Sequence, residues 1–484
     1  MNQLHGVETI ELTDGAVSVI TVKTAVIGLV GTAPDAQPAT CATGQTGSVI
    51  MDSALTFSAV SPGRAGNALS VVAASGAAGA ALAVDVNDAQ VSITLATDAN
   101  GVVTTTAQAL AEGLAAVPGL PVTAAPEGAG QGMVAPFTLE LRGGEDEPFP
   151  FYAPVPVLRG NGAKNALGST GSLTPALDDI FDQAGALVVV VRVPEATRVE
   201  TTRANLLDGI RALATSHSVN GYAPRILIAT GFSEDDAVGK GLETLAKQLR
   251  AVAYVDCASM AKPREVIVRR RMYGSRVEIM RARVEVATAS GVLAYRPVSA
   301  RAAGLRARID MEKGWWWSKS NQEIYNILGV EQVDNFILND PNCMANLLNQ
   351  EEVSTIIRHD GFRHWGNRLC STHPQLRFEA VRRTMDVIED SIEEAMMPFV
   401  DHPLDKWLAD DILGTINGYL RELKALGAIF GGRAWLDEEL NTATSLAAGN
   451  LWVNYDIGPK SPMEKLTLRV RVNNNYALEE FEIV

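Results

Sequence analysis

Cysteine is scarce in these 484 residues. The four present, Cys41, Cys257, Cys343 and Cys370, are widely spaced and form no CxxC pair. That excludes a disulfide framework and a zinc finger, and predicts free thiols in a reducing compartment. Long apolar runs are missing too: none reaches the roughly 18–20 residues that span a bilayer, so no stable membrane insertion is expected. The opening stretch MNQLHGVETIELTDG has neither a basic n-region nor an apolar h-region, and no secretory leader is expected. Positive charge is in deficit, with 41 Lys and Arg against 56 Asp and Glu for a formal net charge of −15. Such a balance argues against whole-surface affinity for nucleic acid or anionic lipid. Apolar residues, by contrast, are present in ordinary amount at 47%, enough to exclude general disorder. At ~100–200 residues per domain the length predicts about two to four domains.

Signatures of chemistry are lacking as well. TAVIGLVGTAPD (Thr24–Asp35) has glycines at 28 and 31 but neither the third glycine of GxGxxG nor the lysine of a P-loop. Gly239-Lys240-Gly241 has no glycine five residues before the lysine. Close packing or a tight turn explains such glycines better than a phosphate cradle. Of six histidines only His359, His364 and His373 fall near one another, and their spacing fits no metal motif. In GFRHWGNR a packed or capping histidine is the simpler reading. Ser169 lies in GSTGS rather than GxSxG, so no nucleophile elbow is indicated. Glu393-Glu394 and Asp410-Asp411 read as solubilising helix positions. No catalytic residue, metal ligand or cofactor contact is expected.

What is there is organised in blocks. Between Pro38 and Pro148 two basic residues stand against ten acidic ones, a net −8, and Phe57 and Phe137 are the only aromatics. Short alternating segments such as Ala81–Val86 and Val91–Ala96 predict β-hairpins, and Thr106–Val117 a helix closed by Pro118-Gly119. The block reads as an inserted, mainly-β domain over 38–148; a long disordered loop is the alternative, disfavoured by the alternating valines and isoleucines. Around it the apolar runs Thr24–Gly31, Ala186–Val193, Arg225–Thr230 and Val252–Cys257 predict strands buried on both faces. Helices are predicted between them at Thr174–Gln183, Arg198–Ser216 and Asp235–Arg250, giving a layered α/β domain over 24–37 and 149–330. From Phe378 the apolar period becomes helical as far as Phe399, and again over Leu404–Leu426. Strands return at Leu451–Asp456 and Leu466–Val472, making an α+β C-terminal domain over 331–465.

Two features point to partners. Lys262–Lys313 holds thirteen Lys and Arg against five acidic residues, a net +8. Phosphate neutralisation would be one use of it. Sparse aromatics and a strand-like alternation with Val and Ile favour an acidic protein partner or another copy of the chain, with Arg269, Arg270, Arg271 and Arg281 as the candidate charged interface. The terminal segments 1–23 and 466–484 are short and alternating. Either they pair with a sheet edge of another chain or they fold back on their own domain.

Specific strings then narrow the field. HGVETIEL and VKTAVIGLVGTAPDA closely resemble the N-terminus of contractile tail sheath proteins of bacteriophages and phage-tail-like particles. The resemblance continues through GSLTPALDDIFDQAGALVVVVRV and PRILIATGF. It is strongest from GWWWSKSNQEIYNILGVE (Gly314–Glu331) through DGFRHWGNRLCSTHP (Asp360–Pro374) to FEAVRRTMDVIEDSIEEAMMPFVDHPL and LNTATSLAAGNLWVNYDI. It covers residues 1–37 and about 150–484. The 38–148 block looks like the family's variable outer insertion, and its PGRAGNALSVV string is similar to small β modules of other tail proteins.

The resemblance implies a structural subunit rather than the alternative, an α/β nucleotide-using enzyme. Subunits of this family form hexameric rings stacked around an inner tail tube and contract to drive it through the target cell envelope, without cofactor. The implied partners are other copies of the chain, the inner tail tube protein, and baseplate and tail terminator proteins, with no direct contact to nucleic acid. The implied location is the virion tail sheath, assembled in the host bacterial cytoplasm. By the same resemblance Val17, Val19, Thr21 and Lys23, and Leu466, Leu468, Val470 and Val472, carry the inter-subunit arm strands.

Overall fold

The structure, a computed structural model, describes residues 19–160, 162–288 and 291–480. Val26–Thr32 (β1) is buried at all seven positions, as an apolar run between two helical layers should be. The chain then leaves for the inserted block. There it forms Thr43–Thr46 (β2), Leu55–Ala59 (β3), Ser70–Ser75 (β4), Ala83–Asn87 (β5) and Gln90–Leu95 (β6), helix Ala107–Ala115 (α1), and Val122–Pro126 (β7) and Phe137–Glu140 (β8). Two sheets, β2-β3-β7 and β5-β6-β4-β8, enclose a separate core of Phe57, Val71, Leu95 and Leu110. In β6 the inward residues are Val91, Ile93 and Leu95, and the polar ones between them face out, the period of two expected of a half-buried strand. Thr106 caps α1 by accepting from the Ala109 N–H at 3.2 Å. The block closes on itself where the Thr40 N–H donates to the Glu145 carbonyl at 2.9 Å.

The core resumes with Pro154–Val157 (β9), Leu173–Phe181 (α2), Leu187–Val193 (β10), Val199–Leu213 (α3), Ser216–Asn220 (α4), Ile226–Ile228 (β11), Asp236–Gln248 (α5) and Val252–Asp256 (β12). Then come Pro263–Arg270 (α6), Val277–Met280 (β13), Arg283–Ala287 (β14), Leu293–Pro297 (β15), Ser299–Glu312 (α7), Gly329–Val330 (β16), Met344–Gln350 (α8), Val353–Arg358 (β17) and Phe362–Trp365 (β18). Eight of these strands form one sheet in the order β18-β17-β13-β12-β11-β1-β10-β9. It is parallel from β10 through β17 and antiparallel at both ends. Alternation splits each strand between two layers: Ile27, Leu29, Val188 and Val190 meet α2 and α7, while Val26, Val30, Val189 and Val191 meet α3 and α5. The two glycines of β1 serve this packing. A Cβ on Gly28 would lie 2.6 Å from a Leu213 methyl, and one on Gly31 would overlap Ser172.

Two expectations need correction here. The sheet runs past residue 330, because Val353–Ile357 is a further buried strand, its Ser354 and Thr355 hydroxyls satisfied by Glu278 and Asp334, that pairs β13 in parallel. The basic tract is not one alternating strand region: it contains α6 and α7, and eleven residues of α7 are buried.

The remainder packs two helices, Glu379–Met396 (α9) and Lys406–Ala425 (α10), against a hairpin of Ile429–Leu436 (β19) and Val453–Pro459 (β20), with short Ala443–Ala447 (α11) between the strands. Its core holds Ile388, Ile392, Ile416 and Leu420. Leu466–Val472 is not a strand. It runs without regular structure to Tyr476–Glu480 (α12), where the sequence pattern had suggested more strand. Leu466, Leu468, Val470 and Val472 are 65%, 83%, 93% and 90% exposed. Without a partner strand the segment's exposed backbone groups bond water, and nothing holds it in a ladder. Among the described residues no helix is long and apolar enough to cross a membrane.

Candidate functional site

The N-terminal candidates divide. Val17 lies outside the described residues. Val19 is buried in the C-terminal core beside Trp315, Ile388 and Ile416. The Thr21 hydroxyl meets the Tyr419 hydroxyl at 3.0 Å and the Val22 N–H donates to Ser391 Oγ at 3.1 Å. Lys23 sits 4.7 Å from the Tyr222 ring centre. Residues 19–23 are therefore docked on their own chain and form no strand, because an apolar Val19 finds a pocket between α9 and α10. Val19→Asp should lower monomer stability by about 1–3 kcal/mol or more, measured by urea unfolding. Unchanged stability would mean that the segment is not seated there in solution.

The C-terminal candidates are free. Their last fixed point is a bidentate pair in which Arg368 Nε and Nη2 donate to Glu464 at 2.7 and 2.6 Å. Beyond it the four apolar side chains project into solvent. The sheet edges explain where such a segment has room. At β9, Pro154 and Pro156 leave the outer edge short of donors. At β18 the edge is covered by residues 321–324, with Asn321 and Ile324 N–H groups donating to the His364 and Phe362 carbonyls at 2.7 and 2.9 Å. The β19–β20 hairpin, in contrast, has no third strand among the described residues. Among the described residues its edge is occupied at Ala434, by the Asn417 side chain, which donates at 3.1 Å and accepts at 2.8 Å.

The basic tract is mostly neutralised inside the subunit. Eight of its thirteen cations are in ion pairs. Arg269 reaches Asp236 at 2.8 Å, Arg270 pairs with Glu352, and Arg281 is buried against Asp334. These three are not an external charged surface, because the fold supplies each with its own carboxylate. Arg271 alone of the four candidates is exposed.

Sequence reasoning missed a fully buried polar network. Lys319, from the GWWWSKSNQ stretch, is fully buried with its Nζ between Glu278 of β13 and Glu379 at the start of α9, the latter at 2.8 Å. Glu278 also accepts from the Ser354 hydroxyl at 2.6 Å and meets His364 Nε2 at 3.0 Å. Arg306 lies 3.7 Å from Glu379 and 2.7 Å from Asp310, and Arg383 binds Asp310 at 2.6 Å. Three cations thus balance three carboxylates at the joint between the α/β core and α9. Burial pushes the Glu278 carboxyl up, but Lys319 and then His364 outweigh it and hold it below the ordinary range. Burial acts likewise on Glu379, and Lys319, Arg306 and Arg383 together hold it well below. Outside the joint, Asp386, Asp390 and Glu393 of α9 take Arg276, Arg225 and Arg250 from the sheet side. The one available signal was a glutamate inside the apolar strand VEIM, which demands a buried partner. His364 is the packed histidine its aromatic setting suggested.

Comparison with known proteins settles the family. Residues 201–369 match the phage tail sheath protein central domain and residues 371–473 the phage tail sheath C-terminal domain. The tail sheath protein of Escherichia phage P2 is 35% identical over 350 residues, 68% of this chain and 87% of that protein. The chain belongs to the phage tail sheath family. The major tail sheath protein of Serratia phage KSP20 is similarly related, 34% identical over 342 residues, 68% of this chain and 86% of that one. In fold, the chain resembles the sheath of an extracellular contractile injection system, PVC, solved in the contracted state. There the TM-score is 0.53 at 16% identity, over 68% of this chain and 89% of the other. The family is structural, so the nucleotide-using enzyme is set aside. Within this sheath protein the candidate site is accordingly a pair of surfaces, a free tail and an open hairpin, beside a buried polar joint between the core and α9.

Proposed function

We propose that this chain polymerises with copies of itself into hexameric rings stacked around an inner tail tube, and that the sheath contracts to drive the tube through the target cell envelope. The observation that carries this reading is the pairing of an exposed alternating tail with an unfilled two-stranded hairpin on the same domain. A tail strand from a neighbour would extend the hairpin by β-augmentation. Each main-chain bond so formed contributes about 0.5–1.5 kcal/mol net, so several would keep neighbours connected while the larger faces slide. Residues before Val19 are assigned the same linking role at the other terminus. The 38–148 domain, with its net −8, is placed on the outside. Partners in this reading are the tube protein, the baseplate and the tail terminator, and assembly takes place in the host bacterial cytoplasm before the sheath becomes part of the virion. Negative-stain microscopy of the chain with its tube protein tests it: hollow striated tubes are expected, and lasting monodisperse monomers would overturn it.

A further inference from the structure

Two helix faces carry exposed charge that the subunit does not answer. On α6 and its C-terminal cap, Arg264, Val268 and Arg271 follow at steps of four and three and so share one face, with Lys262 before it and Met272 just beyond; the one acid among them, Glu265, accepts from the Lys262 N–H at 2.9 Å and leaves the face net positive. Val268 is 56% and Met272 44% exposed, and among the described residues Lys262, Arg264 and Arg271 form no ion pair, unlike Arg269 and Arg270 on the same helix. At the α9–α10 elbow the pattern is the opposite in sign. Val400 and Trp407 are 58% and 81% exposed, flanked by Asp401 and by Asp410 and Asp411, three and four residues along α10 from the tryptophan. None of these three carboxylates has an ion-pair partner among the described residues, whereas Asp405 is spent capping α10 through the Leu408 N–H at 2.8 Å. One face is cationic around a valine and a methionine, the other anionic around a valine and a tryptophan. Both stay open to solvent in the single chain, so they do not satisfy each other there.

We propose that the α6 face of one subunit docks on the α9–α10 elbow of a second copy, Arg264 and Arg271 meeting Asp410 and Asp411 while Trp407 covers Val268 and Met272. This rests on the polymerising role inferred above and names one contact within it. The two patches differ, so the contact is heterologous, and repetition of a heterologous contact that does not close produces a helical stack rather than a closed dimer. The aromatic supplies the buried area and the charges set register and exclude wrong pairings.

A charge swap tests it. Three full-length chains are compared with the unmodified protein in assembly with tube protein: Arg264→Glu with Arg271→Glu, Asp410→Arg with Asp411→Arg, and all four together. Each one-sided variant places like charges opposite one another and should reduce pelletable sheath about tenfold or more, with the monomer's thermal unfolding unchanged. The fourfold variant restores opposite charges and should assemble within about twofold of the unmodified chain. One-sided variants that assemble normally would overturn the contact. So would a well-folded fourfold variant that stays monomeric, a result that places one of the two faces against the tube instead. Failure of the unmodified chain to polymerise would refute the sheath role itself, and it is read separately from the variants.

Discussion

Removing residues 465–484 leaves a folded monomer that no longer builds sheaths. The cut falls immediately after Glu464, the last of the described residues held by an ion pair. Every apolar side chain it removes from Leu466 through Val472 is already at least 65% exposed, so little buried area is lost. Thermal unfolding of the truncated chain should stay within about 2 °C of the full chain, since a change below ~0.5 kcal/mol shifts a domain of this size very little. Assembly, in contrast, loses every main-chain bond an added strand would make. At about 0.5–1.5 kcal/mol for each of several bonds, one missing strand costs each neighbour contact several powers of ten in affinity. Val470→Pro, which removes one donor and leaves composition nearly intact, should weaken sheath formation less severely. Sedimentation and microscopy distinguish the outcomes, and undiminished striated tubes from the truncated chain would sink the arm assignment.

The second large effect lies inside the subunit. Lys319→Met should destabilise the monomer by about 3–5 kcal/mol, because it strips the shared cation from two fully buried glutamates without removing them. That is a sizeable share of the roughly 5–15 kcal/mol that separates folded from unfolded domains. Replacing the pair as well, by Lys319→Met with Glu278→Gln, should recover part of the loss, since an uncharged amide is cheaper to bury than an unpaired carboxylate. The acid limb gives an independent reading. Glu278 and Glu379 are both held below the ordinary glutamate value of 4.5 in the folded chain. Their contribution is therefore fully present above about pH 5 and is lost as pH falls below 4.5 toward their folded values. In the Lys319→Met chain the cation that lowers them is gone, so that limb should flatten. Urea titrations at pH 7 and pH 4 measure both effects; a loss under about 1 kcal/mol at pH 7 would show that the network is not closed as described.

The elements that the sequence announces are those whose signal is local. Leu187–Val193 is a nearly unbroken apolar run and is an interior strand, paired on both sides. Ala107–Ala115 has its Thr106 cap and its Pro118-Gly119 stop. The failures share one physical cause, a partner distant in sequence. Arg281 reads as a surface cation until Asp334 is folded against it. Val19 reads as an arm residue until α9 and α10, some 370 to 400 residues later, form the pocket it fills. Leu466–Val472 has the period of a strand, but period two states only which faces match, and among the described residues it pairs with no strand of its own chain. Charge counts misled for the same reason: the +8 tract is a net figure over residues most of whose carboxylates come from elsewhere, and what stays exposed around α6 is Lys262, Arg264 and Arg271.

The closure of the inserted block at Thr40 and Glu145 has a consequence for how such a subunit changes over time. A domain whose first and last residues are hydrogen-bonded neighbours occupies no more of its host's surface than a tight turn does, and domain insertion is tolerated at sites of that kind. The host sheet, the polar joint and the tail then experience the same boundary whether a long module or a short loop stands there. Inserted module and sheath core are thereby free to diversify at different rates, the second held by the need to keep its own sheet and joint intact.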